Sequence, residues 1–232
     1  MKKIAALLLV FIMLFSLCAC NPTKLTVKNL KGTWEAKITL RDCSELADEE
    51  IVDDEDIISK EYIDRIYNLS YTTRFVFKKD GTLETKISKE SFEKLLDEEL
   101  EIMLDFYKNE GVLLTYQALG YELKNNEELE AFLVQNGTSF QAVLDSIEIT
   151  LLGVIEKSKK EITKDFGELT DDGYYTTTET FTVNEDSITC ITEEDKEEIT
   201  YCKLTDKNTL VFNKVYFDFE EHKVNITLKR VK

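Results

Sequence analysis

Lys31-Gly32-Thr33-Trp34-Glu35-Ala36-Lys37-Ile38-Thr39-Leu40 decides the fold. Trp34, Ala36, Ile38 and Leu40 share one side of this stretch, and Glu35, Lys37 and Thr39 share the other. That is the period of two of an extended strand with one face in a core. Trp34 is the only tryptophan in the 232 residues. At the far end of the chain, Val224 to Val231 alternates in the same way. It is expected to be the strand that closes beside the first.

Working outward, Thr72 to Lys79 reads as a strand, with Phe75 and Phe77 on one face. Asp80-Gly81 is a hairpin signal, because both central turn residues need positive φ. Thr82 to Ser88 is the return strand. The period then changes. Phe92, Leu95, Leu96, Leu100, Met103, Leu104 and Tyr107 trace a helical face that Gly111 is expected to end. A short helix over Val112 to Leu119 follows, then one capped by Asn126 and ended by Asn136-Gly137. Thr138 and Gln141 form a capping box that opens a long apolar stripe from Phe140 to Ile155. The block reads as a helical insertion at about 89–165. A shorter helical pattern (Tyr62, Ile63, Ile66, Tyr67) returns the chain to the sheet before Thr72.

After Asp171-Asp172-Gly173 the period of two resumes. Tyr174 to Val183, Ser187 to Thr192, Glu198 to Leu204, Thr209 to Phe219 and Val224 to Val231 read as five strands. Asn184 to Asp186, Glu194 to Glu197, Thr205 to Asn208 and Glu220 to Lys223 are the turns. With the three early strands this makes about eight, a number that closes a sheet around side chains or one small ligand. The fold class is mainly β with a helical insertion (α+β): a roughly eight-stranded antiparallel up-and-down barrel, the helices entering between strands 3 and 4.

The N-terminus predicts location. Lys2-Lys3 precedes an apolar run from Ile4 to Leu17, the length of a signal-peptide core and too short to span a bilayer. Leu17-Cys18-Ala19-Cys20 resembles the bacterial lipobox, in which the final cysteine is lipidated and becomes residue one. Residues 1–19 are then a lipoprotein signal peptide, Cys20 the lipidation site and 20–29 a tether. Two or three acyl chains suffice for stable anchoring. The expected place is the extracytoplasmic face of the cell membrane. The formal charge is −17, and processing removes Lys2 and Lys3 but no acid. Such a surface repels phosphate backbones and argues against nucleic acid as a partner.

Gly32-Thr33-Trp34 on the first strand, with Arg230 on the last, resembles the signature of lipocalin-like (calycin) barrels. In that family the tryptophan packs at the closed end and a late arginine lies across its ring, a cation–π contact that seals the end. Bacterial lipoproteins with lipocalin-like domains are the group this chain is most similar to. The resemblance covers 30–88 and 172–232, with 30–232 as the domain. It implies binding at the open end and no defined activity.

Other candidate sites are few. Cys190 and Cys202 lie on neighbouring predicted strands. A three-residue turn centred on Lys196 makes them a candidate disulfide; a two-residue turn at Asp195-Lys196 puts Cys190 opposite Tyr201. Cys43 is a partner for either, or free. Asp48, Glu49, Glu50, Asp53, Asp54, Glu55 and Asp56 form an acidic loop without the order of a calcium-binding EF-hand. His222 is the only histidine, which argues against a Ser-His-Asp triad or a His-based zinc site. Paired carboxylates would suit a hydrolase, but among so many acids any two look paired. No catalytic residue, metal or cofactor is expected. Tyr174, Tyr175, Phe181, Tyr201, Phe212, Tyr216, Phe217 and Phe219 either line a cavity or fill it. The two leading readings are a barrel holding a small apolar ligand, and a solid barrel that meets an envelope protein through its helical insertion.

Overall fold

Eight strands that are each apolar on one face must hide those faces, and here the sheet does so by closing on itself. The computed structural model describes residues 24–43, 58–191, 197–217 and 220–231. The signal peptide, Cys20, the acidic stretch at 48–56 and Phe219 lie outside the described residues. The strands are β1 (Gly32–Thr39), β2 (Ser70–Phe77), β3 (Thr82–Ser88), β4 (Glu168–Leu169), β5 (Tyr174–Val183), β6 (Ser187–Ile191), β7 (Glu197–Asp206), β8 (Thr209–Phe217) and β9 (Glu220–Arg230). Their order is β3-β2-β1-β9-β8-β7-β6-β5-β4, and a β3–β5 pairing joins the ring. Every pairing is antiparallel. Eight strands form the barrel. The two-residue β4 lies along the mouth half of β5, at Tyr175 and Thr176, beyond the part of β5 that β6 reaches.

The N- and C-terminal strands meet where the alternating pattern places them, with Trp34 opposite Arg230. Trp34, Phe77, Leu204, Leu210 and Leu228 are fully or nearly fully buried in the barrel core. From Leu25 onward the chain before β1 is docked on the barrel. Short helix α1 (Val27–Leu30) caps this end, and Leu25 and Leu30 are buried in the same core.

The helices are α2 (Lys60–Tyr67), α3 (Lys89–Phe106), α4 (Val112–Ala118), α5 (Asn126–Gln135) and α6 (Phe140–Asp165). The chain leaves β3 at Ser88 and re-enters the barrel at Tyr174, and these residues pair with each other at the end opposite Trp34. The insertion therefore sits at the mouth. Its α3 packs with α2 through Tyr62, Leu95, Leu96 and Phe106, while Val112, Leu129 and Leu133 make a separate small core of α4, α5 and α6.

Several local expectations are corrected. Gly111 does not stop a helix. It ends a π turn (Tyr107–Gly111) that runs straight into α4, with φ of −63°. Its need is steric, since a Cβ there would lie 2.6 Å from Phe106 Cε1. The cap of α5 is Asn125, whose side chain accepts from Glu128 N, not Asn126. The cap of α6 is Ser139, not Thr138. Glu220 to Lys223 is strand, not turn: Lys214 pairs with Lys223 and Phe217 with Glu220. The polar run reads as a turn because exposed strand ends carry the same residue types as turns.

Candidate functional site

The strand registers build the barrel interior row by row. Thr73, Ile87 and Tyr175 are partners across β2, β3 and β5 nearest the mouth. Below them come Phe75, Thr85 and Thr177, then Phe77, Leu83 and Glu179. On the adjoining wall, Phe181 faces Cys190 and Cys190 faces Glu198. Inward positions alternate, so Glu179 shares the face of Phe181, and Glu198 shares that of Cys202 and Leu204. Two carboxylates thus point into a barrel.

They line a cavity of about 350 Å³. Its walls are Phe75, Phe77, Leu83, Thr85, Thr177 and Glu179 on one side, and Ile188, Cys190, Glu198, Thr200 and Phe212 on the other. Phe166, just past the end of α6, closes over it from the insertion. Phe166 stacks at 6.4 Å from Phe92, which meets Tyr71 edge-on at 6.3 Å, so the cover is tied to α3 and β2. Phe75 and Phe212 touch edge-to-face at 5.5 Å, and Phe77 and Phe181 at 5.2 Å. The volume lies at the lower end of the range for small-molecule pockets.

The electrostatics follow from burial. Partial burial pushes the Glu179 carboxyl above its usual range, and Glu198 adds to this by like-charge repulsion; a hydrogen bond from Cys190 works the other way. The Cys190 thiol is pushed up to about 12, first by burial and then by the two carboxylates. Cys202 is also raised to about 12, by burial and by Asp186. Both thiols are free. The candidate Cys190–Cys202 disulfide is not formed in this register. Cys190 is opposite Glu198, and Cys202 is opposite Phe212 on its other side and donates its backbone N–H to Asp186 O. Neither turn considered from the sequence gives this pairing.

The other end is sealed. The Arg230 guanidinium lies 4.1 Å from the Trp34 ring centroid. Its Nε donates to Lys207 O at 3.0 Å, Nη1 to Lys31 O and Nη2 to Asn29 O. Trp34 Nε1 donates to Leu30 O at 2.6 Å. Gly32 belongs to the same device: its φ is +125°, and a Cβ there would meet Arg230 Nη1 at 2.9 Å. The closed end is a plug.

Of the aromatics singled out from sequence, Tyr175, Phe181 and Phe212 are buried in the interior, and only Phe212 touches the cavity. The Phe217 side chain lies outside the described residues. Phe166, Glu179 and Glu198 carry the site's character without a motif. The parity of Glu179 with Phe181, and of Glu198 with Cys202, is the signal that would have found two of them. His222 is on β9 opposite Val215. Among the described residues, no group of His, Cys, Asp and Glu is placed to hold a metal ion. No single described helix is long and apolar enough to cross a membrane. The chain matches no protein-family model, no curated protein and no solved structure. The closed eight-stranded barrel is compatible with a lipocalin-like fold, and the function rests on the chain's own geometry.

Proposed function

We propose that this is a lipid-anchored binding protein of the extracytoplasmic membrane face, a lipocalin-like barrel that holds a small apolar ligand beneath its helical insertion and performs no catalysis on it. The observation that carries the reading is the cavity of about 350 Å³ walled by four phenylalanines on the mouth side of the barrel. A solid barrel would have no such space.

The anchor fits the architecture. Cys20 precedes Lys24, the first described residue, by four positions, which span at most about 14 Å. The chain is docked on the plugged end from Leu25 onward. A lipid on Cys20 would hold that end against the membrane and direct the mouth away from it.

A second reading draws on Leu119, Val134, Ile149 and Val154, large apolar residues left exposed on the insertion. They suit contact with an envelope protein, and that role is compatible with a ligand in the barrel.

Isothermal titration of the full-length chain with neopentylbenzene tests the binding reading. Binding that disappears in Thr85→Trp, which fills the cavity wall, is the expected result. Binding untouched by Thr85→Trp would overturn it, as would failure to bind this probe together with benzyltrimethylammonium and phenylacetate. Labelling cells with palmitate tests the anchor: label on the chain that is lost in Cys20→Ala is expected, and an unlabelled wild-type chain would contradict it.

A further inference from the structure

We propose that the barrel cavity takes an apolar cation, an amine or quaternary ammonium bearing one hydrophobic group, with its charge beside Glu179 and Glu198 and its body against Phe75, Phe166 and Phe212. This rests on the reading of the barrel as a binding module and specifies its ligand.

Inward positions of a small barrel are the most expensive places for a charge, and natural interiors keep charges there only with a partner. Glu179 and Glu198 both occupy such positions and both line the cavity. Among the described residues, neither forms an ion pair. Among the described residues, no lysine, arginine or histidine lines the cavity. Two described lysines near the mouth turn to other acids, Lys86 to Asp172 and Lys89 to Glu93. Among the described residues, two inward carboxyl groups thus face a space where a positive ligand would complete them.

The rest of the lining agrees. Aromatic faces carry negative potential and attract cations within about 6 Å, most of all where water is excluded. Phe75, Phe77, Phe166 and Phe212 supply four such rings. Thr85, Thr177 and Thr200 add hydroxyls between them. One pleat nearer the mouth on the same face of β2, Thr73 is 2% exposed with an Oγ1 that has no hydrogen-bond partner. A formal charge of −17 draws cations toward the whole molecule. An anionic ligand such as a fatty acid would meet two carboxyl groups and, among the described lining residues, no counter-charge. The partly desolvated state of Glu179 fits a group whose counter-ion arrives with the ligand.

The test compares three probes on the full-length protein by calorimetry at pH 7 and low salt. They are benzyltrimethylammonium, its uncharged isostere neopentylbenzene, and phenylacetate. The expected order places the cation about tenfold tighter than the isostere and phenylacetate weakest. In the Glu179→Gln/Glu198→Gln double variant, the cation should lose that tenfold while neopentylbenzene is held as before, which also shows that the cavity is intact. Equal affinity of cation and isostere, a preference that survives the double variant, or phenylacetate binding best would overturn the cation assignment and leave the binding module standing. Failure of all three probes to bind would overturn both.

Discussion

The guanidinium of Arg230 sits 4.1 Å from the centre of the Trp34 ring, and the two residues are also direct cross-strand partners on β9 and β1. One contact therefore joins the ends of the chain and closes the barrel floor. The three carbonyls that Arg230 serves lie on two segments, Asn29 and Lys31 at the end of α1 and Lys207 between β7 and β8. Lysine cannot reproduce that fork. Arg230→Lys is expected to cost about 1–2 kcal/mol, read as a lower urea midpoint with an unchanged m value.

Gly32→Ala should destabilise by about 1–3 kcal/mol, because φ of +125° disfavours any side chain and the new methyl would meet Arg230 Nη1 at 2.9 Å. Only the second part of that cost depends on the arginine. In an Arg230→Ala background the same substitution should therefore cost less, and the double-mutant cycle reads the difference.

Glu179→Gln should raise stability at pH 7. The folded-state carboxyl titrates above its usual 4.5 because of burial and then Glu198. A raised acid favours the fold below its unfolded value and loses that contribution as pH rises through the folded one. The wild type thus gives up stability on going from pH 4 to pH 7 that the Gln variant retains. Urea midpoints at the two pH values check this, and a gain on removing a charge from the site would mark a position kept for binding.

Cys190 and Cys202 should resist alkylation in the native state at pH 8, since both titrate near 12 in place of the ordinary 9.0. By the same sign, their contribution to stability is intact below pH 9.0 and declines from there toward pH 12, as the unfolded chain ionises first. Peptide-resolved mass spectrometry after iodoacetamide treatment, with and without urea, separates them from Cys43.

The barrel was legible because its evidence is local. Alternation from Trp34 to Leu40, the Asp80-Gly81 turn and the return of period two after Gly173 each depend on neighbouring residues alone. The insertion was legible for the same reason, through Phe92 to Tyr107. Register was not. The β6–β7 pairing depends on how many residues the turn takes up, and both turns considered placed Cys190 too far along β7, opposite Tyr201 or Cys202 where the structure has Glu198. The bulge on β8 between Phe212 and Lys214 shifts the β9 partner and has no composition signal. The site was hidden for a related reason. Glu179 looks like one more solvated acid until its parity with Phe181 is followed, and Phe166 reaches the cavity only through the path of the whole insertion.

The most direct test of the central claim, a barrel that is closed at Trp34 and hollow at the mouth, is an NMR titration of the full-length protein with benzyltrimethylammonium. The account predicts saturable shifts at Phe75, Thr85, Phe166, Thr177 and Thr200, with Trp34 and Arg230 unmoved. Shifts confined to the exposed apolar face around Ile149 and Val154, or none at all in the barrel, would contradict it.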